Sequence, residues 1–133
     1  ITDESTGVSF WLTELITPIV AGRSPLIFIF LICLIAAVMT ALSNNVATAA
    51  IFVPIVYALG EVSGANSAAL IICLMNACNI GLATPPASAP ASLIHADTKW
   101  ITGKTAIVDG VIYTVANIIL ILVMLYPLTG LLL

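Results

Sequence analysis

Apolar positions along this chain come in long blocks rather than in alternation. Residues 26–42 (LIFIFLICLIAAVMTAL) and 46–59 (VATAAIFVPIVYAL) carry no charge, and Pro54 lies inside the second. Residues 68–83 (AALIICLMNACNIGLA) are marked only by Asn76 and Asn79, and a last block covers about 106–126. Blocks this long predict helices rather than strands. Polar punctuation separates them: ITDESTG at 1–7, AGRSP at 21–25, GEVSGANS at 60–67, TPPASAP at 84–90 and HADTKWITGK at 95–104. Ser24-Pro25 suits a cap and first turn. The stretch 8–20 (VSFWLTELITPIV), with Trp11, Glu14 and Pro18, suits an amphipathic helix lying at a membrane interface. Residues 1–24 therefore predict an interfacial helix and linker.

Length then discriminates. Two full spans over 26–59 would need about 40 residues plus a turn, and about 34 are available. The alternative is a re-entrant helical hairpin over 25–60, with Ser43-Asn44-Asn45 at its tip and a loop at 61–67. Irregular backbone at that depth is tolerated only where it is packed in protein or lines a wet cavity. A second interruption follows. Thr84-Pro85-Pro86 and Pro90 break the helical pattern, because proline removes a donor and clashes with the preceding turn. Residues 68–96 thus predict a broken transmembrane helix, 97–105 a cytoplasmic linker, and 106–133 a final transmembrane helix with its tail. Paired broken helices build substrate and ion sites in transporters: helix N-termini attract anions, and free carbonyls bind cations.

Composition names the solvent. The 133 residues are 62% hydrophobic and 7% charged, where a soluble domain is about a quarter charged. An all-α integral membrane protein follows, and a multi-pass location in the plasma (cell inner) membrane is expected. A net charge of −3 gives no basic patch for nucleic acid. Cys33, Cys73 and Cys78 lie in apolar runs and predict packing residues, not a disulfide or metal framework. A chain beginning at Ile1 predicts a piece of a longer protein, a processed product or one half of a split one. Lys99 and Lys104 against Arg23 place 95–104 on the cytoplasmic side. No nucleophile–base pair, phosphate-cradling loop or metal-ligand spacing is present, so no enzyme activity and no cofactor are expected.

Each polar residue in an apolar block has a bland reading too. Asn44 and Asn45 could be interhelical hydrogen bonds worth about 0.5–2 kcal/mol each. Beside Ser43 and Thr48, at a length-forced break, they read better as site residues. Asn76 suits helix–helix contact; Asn79, nearer the second break, suits the site. His95, beside Asp97 and Lys99, suits a solvated interfacial position. Asp97 and Asp109 look interfacial, and Asn117 looks like a packing hydrogen bond. No carboxylate falls at the expected membrane centre, which favours cation coupling through carbonyl and hydroxyl oxygens, as hard Na+ prefers.

TALSNNVATAAIFVPI (40–55), followed by NIGLATPPASAP (79–90), resembles the C-terminal repeat of the divalent anion–sodium symporter (DASS) family of the ion transporter superfamily. The likeness covers about residues 25–130. The family's S-N-T or S-N-V tip falls on Asn44-Asn45-Val46, with Ser43 one position earlier. The asparagine of its A-T-P-P-N-A loop falls on Ala87, followed by Ser88. The resemblance implies one half of an inverted repeat: a re-entrant hairpin, a broken helix and a final full transmembrane helix. Substrate contacts fall on Ser43, Asn44, Asn45, Thr84, Pro85, Pro86 and Ser88. Na+ contacts fall on Asn45, Ala47, Thr48, Asn79, Ala83 and Ala87. The implied function is elevator-type secondary transport of a small anion, a di- or tricarboxylate before sulfate, coupled to Na+. The implied partners are that anion, the lipid bilayer, an N-terminal repeat in missing sequence or another chain, and a second copy of the full transporter. Two other readings stay open. One is a superfamily member with different cargo, such as a Na+/H+ antiporter or an arsenite or monocarboxylate permease. The other is a non-transporting membrane subunit.

Overall fold

The apolar blocks fold as helices. The computed structural model describes residues 14, 18, 24–96 and 99–132, and among these there is no strand. The interfacial helix expected at 8–20 lies outside the described residues, except that Glu14 and Pro18 are helical and exposed.

Helix α1 spans Pro25–Leu42, with Pro25 at its first position, where no intrahelical donor is needed. It ends at Ser43, whose N–H still reaches the Met39 carbonyl. Asn44 is fully extended, and its side chain accepts from Ala47 N at 2.8 Å, capping the next helix. Helix α2 then runs Asn45–Ser63. Only Ser43 and Asn44 are non-helical at the tip; Asn45 already belongs to α2.

The expected loop at 60–67 is shorter than the sequence predicts. Helix α2 continues through Gly60 and Glu61 to Ser63 and stops at Gly64, whose φ of 68° is the left-handed helix ending that glycine favours. Asn66 caps helix α3, Ser67–Asn79, accepting from Ala68 N and Ala69 N. With 19 residues instead of 14, α2 is about as long as α1, so arm length by itself does not force a re-entrant tip.

Helix α3 ends at Asn79 rather than at 83, and residues 80–84 are irregular. A 3₁₀ turn at Pro85–Ala87 leads to Ser88 and helix α4, Ala89–Ala96. Pro90 is accommodated at the second position of α4, where its missing N–H costs nothing. Helix α5 begins at Gly103, three residues earlier than expected, because Thr102 caps it through Thr105 N. It spans Gly103–Leu120 and continues through a π-helical turn, Ile121–Leu125, into α6, Tyr126–Leu132. Pro127 explains the widened turn: it cannot donate to Val123 and crowds that carbonyl. The Tyr126 N–H bonds instead to Ile121 O, five residues back.

Helix α3 is the hub, packed against both α2 and α1. Phe28, Cys33, Val56, Leu74 and Cys78 meet in the core, and Ile118 and Ile121 of the long C-terminal rod join them. The three cysteines are buried and unbridged. Large apolar side chains face outward, among them Leu26 and Phe30 on α1 and Val111, Ile112, Val115 and Val123 on the rod. Pro25–Leu42 and Gly103–Leu132 are long and apolar enough to cross a membrane. A surface of this kind fits lipid or neighbouring helices and not water.

Three side chains sit differently from expectation. Asn76 is exposed and donates to Ile72 O of its own helix at 2.9 Å, not across to another helix. Asn117 does the same to Tyr113 O. A helical asparagine can satisfy its amide on the carbonyl one turn back without a neighbour. His95, expected to be solvated, is half-buried in the last turn of α4, and its Nε2 is buried without a hydrogen-bond partner.

Candidate functional site

The two helix breaks lie against each other. Asn45, in the first turn of α2, donates from Nδ2 to Asn79 Oδ1, 3.1 Å away in the last turn of α3. Asn79 holds its own orientation by donating to Met75 O at 2.9 Å. Thr84, in the second break, donates its hydroxyl hydrogen to the carbonyl of Ala41 in the last turn of α1. Residues 34 and 43 positions apart are thus tied by side chains at the open ends of helices.

Other polar groups shape the breaks from within. Thr48 is almost fully buried and donates to Asn44 O at 2.9 Å, so its hydroxyl braces the tip. Asn44 is engaged as the α2 cap, which also occupies the Ala47 N–H. Ser88 donates to Gly81 O at 2.7 Å and accepts from Ala91 N at 3.3 Å, closing the second break and capping α4 together. Ser92 donates to Pro85 O at 2.6 Å. Ala83 and Ala87 are buried, whereas Pro85 and Pro86 are exposed and Ser43 is half-buried.

Of the sequence-derived candidates, the structure joins Asn45 to Asn79 directly and brings Thr84 onto the end of α1. It uses Asn44, Thr48 and Ser88 mainly to hold the irregular backbone. It also gives roles to three further residues, Ala41, Gly81 and Thr40. Ala41 contributes only its carbonyl, which any residue would supply. Gly81 lets the break lie flat on α1: a Cβ there would stand 2.4 Å from Thr40 Cγ2. Thr40 itself is 0% exposed, and its Oγ1 has no hydrogen-bond partner. The thiol of Cys78 is beside it, but thiols bond weakly. An unpaired buried hydroxyl costs about 1–3 kcal/mol. The visible signal was a hydroxyl one turn before the tip, inside a block otherwise read only for its apolarity.

The site's chemistry is neutral. Amides, hydroxyls, carbonyls and the free N–H groups opening α2 converge there. Such a set can offer donors to an anion and oxygens to a cation without holding either irreversibly. The divalent anion–sodium symporter resemblance remains a likeness of motifs. No curated protein matches the chain. A family model described as citrate transporter (CitMHS) matches residues 4–133. The chain therefore belongs to the citrate transporter family, a family of membrane transport proteins.

Proposed function

We propose that this chain forms the C-terminal repeat of a secondary transporter that carries citrate across the membrane. The observation that supports the reading best is the pairing of the two breaks, through Asn45–Asn79 and Thr84–Ala41. Half-helix ends meeting inside a bundle are how transporters bind charged cargo. In this reading the α2 N-terminus, Asn45, Thr84 and Ser88 bind one carboxylate group of the cargo. Ser43, Asn44, Pro85 and Pro86 shape its surroundings.

Na+ is the proposed coupling ion. The Thr40 hydroxyl, unpaired and fully buried, is a ready oxygen ligand beside the break. Backbone carbonyls near Asn45, Asn79, Ala83 and Ala87 would complete a hard-oxygen shell. The tip at Ser43-Asn44 would be re-entrant, and the paired breaks would move as one body in an elevator-type step. An N-terminal repeat would supply the other half of the site, and the full transporter would be a homodimer in the cell inner membrane.

Uptake of labelled citrate into proteoliposomes containing the intact transporter tests this. Uptake driven by an inward Na+ gradient is the expected result. Uptake driven only by a pH gradient would remove the Na+ assignment. No citrate uptake under any gradient, with sulfate, arsenite or a monocarboxylate carried instead, would remove the cargo assignment.

A further inference from the structure

Residues 81–84 have no regular hydrogen-bond ladder, so something else must fix their depth between the helices. On the α1 side, Gly81 lies against Thr40, and Thr84 holds Ala41. Gly110, buried on α5, also lies against this segment. A Cβ at Gly110 would lie 2.6 Å from Ala83 Cα, 2.7 Å from Ala83 N and 2.8 Å from Leu82 C. All three are backbone atoms, so no side-chain rotation relieves the contact. The two other glycines of the same rod behave differently: a Cβ at Gly103 or Gly130 meets nothing within 4 Å. The closeness is therefore local to the break, in the manner of glycines that let backbones approach in membrane bundles.

We propose that Gly110 is a positioning residue for ligand binding. It sets the depth of the Leu82–Ala83 backbone, and through it the direction of the Thr84 hydroxyl. The inference rests on the transport reading above. Moving from 2.6 Å to an ordinary contact at 3.4 Å would push that backbone about 0.8 Å away from α5. Misplacement of about 1 Å in a binding constellation is enough to cost up to ~10²-fold. The final helix thus acts on the site without contributing a side chain to it.

The experiment is citrate uptake by the intact transporter in proteoliposomes, with KM and maximal rate measured separately. Gly110→Ala is expected to raise KM about tenfold or more. Gly103→Ala, the same change in open space, is expected to leave KM unchanged. Thr84→Ala combined with Gly110→Ala is expected to raise KM little beyond either single change, because both act through one hydroxyl. An unchanged KM in Gly110→Ala, or fully multiplicative effects in the double variant, overturns the proposal. Should Gly110→Ala fail to insert, Ala83→Gly loosens the same backbone with less strain, and an unchanged KM there overturns it equally. Absence of citrate uptake by the unaltered protein overturns the transport reading instead. Positioning is then read from a Thr84→Cys reporter. Its labelling rate by a membrane-impermeant thiol reagent must change with Gly110→Ala and not with Gly103→Ala; equal rates overturn the proposal.

Discussion

Asn45 and Asn79 share a hydrogen bond of 3.1 Å across 34 positions of sequence, joining the first turn of α2 to the last turn of α3. Each residue is at a helix end, where the regular ladder runs out. The bond makes two separate interruptions into one polar locus.

That bond should be measurable as a coupling. Asn45→Ala and Asn79→Ala are each expected to weaken citrate affinity. The double variant should lose less than the sum, with a coupling near ~0.6 kcal/mol, as side-chain bonds in membrane bundles show. Affinities from ligand-induced thermal shift in the four proteins of the cycle decide the matter; strict additivity would dissolve the pair.

Asn44 offers a separation of capping from binding. Asn44→Ala should lower unfolding stability by about 1 kcal/mol, through loss of the bond to Ala47 N. Asn44→Asp and Asn44→Ser keep a capping oxygen and should recover most of it. Thermal unfolding in detergent gives the stability. Uptake by Asn44→Ser then shows whether the amide itself touches the cargo.

Thr40 carries a prediction with two opposite signs. Thr40→Val removes an unpaired buried hydroxyl at constant shape, and in Na+-free buffer it should stabilise the protein by about 1 kcal/mol. Na+ should in turn stabilise the unaltered protein, since a ligand that binds only the folded state adds to its stability. The valine variant should lose that gain. Unfolding temperatures in sodium against choline chloride test both halves; equal Na+ gains in the two proteins would remove Thr40 from the ion site.

Gly64 is expected to matter for stability only. Its φ of 68° suits glycine, and an alanine there is expected to cost about 1 kcal/mol. A drop in unfolding temperature with an unchanged KM is the expected outcome. A raised KM would link the α2–α3 turn to the site.

The membrane class, the helical blocks and the two interruptions were legible in the chain. Asn44, capping α2, and Pro85-Pro86, opening a 3₁₀ turn, are local devices that a short stretch of sequence determines alone. Boundaries were less legible. Helix α2 runs past Gly60 to Ser63 and ends only at Gly64, and Gly60 leaves room for Ser67, whose Oγ would stand 2.3 Å from a Cβ there. Helix α3 stops four residues early, at Asn79, whose side chain accepts from Asn45.

What the sequence determined by itself was therefore the material: apolar helices for a lipid solvent, capped and broken at positions that proline, glycine and asparagine mark. Only the tertiary structure decided what those breaks do together. The Ala41 carbonyl, the unpaired Thr40 hydroxyl and the bare face of Gly110 have no local signature. Their roles come from which backbone lies within bonding or contact distance, and helix packing alone sets that distance.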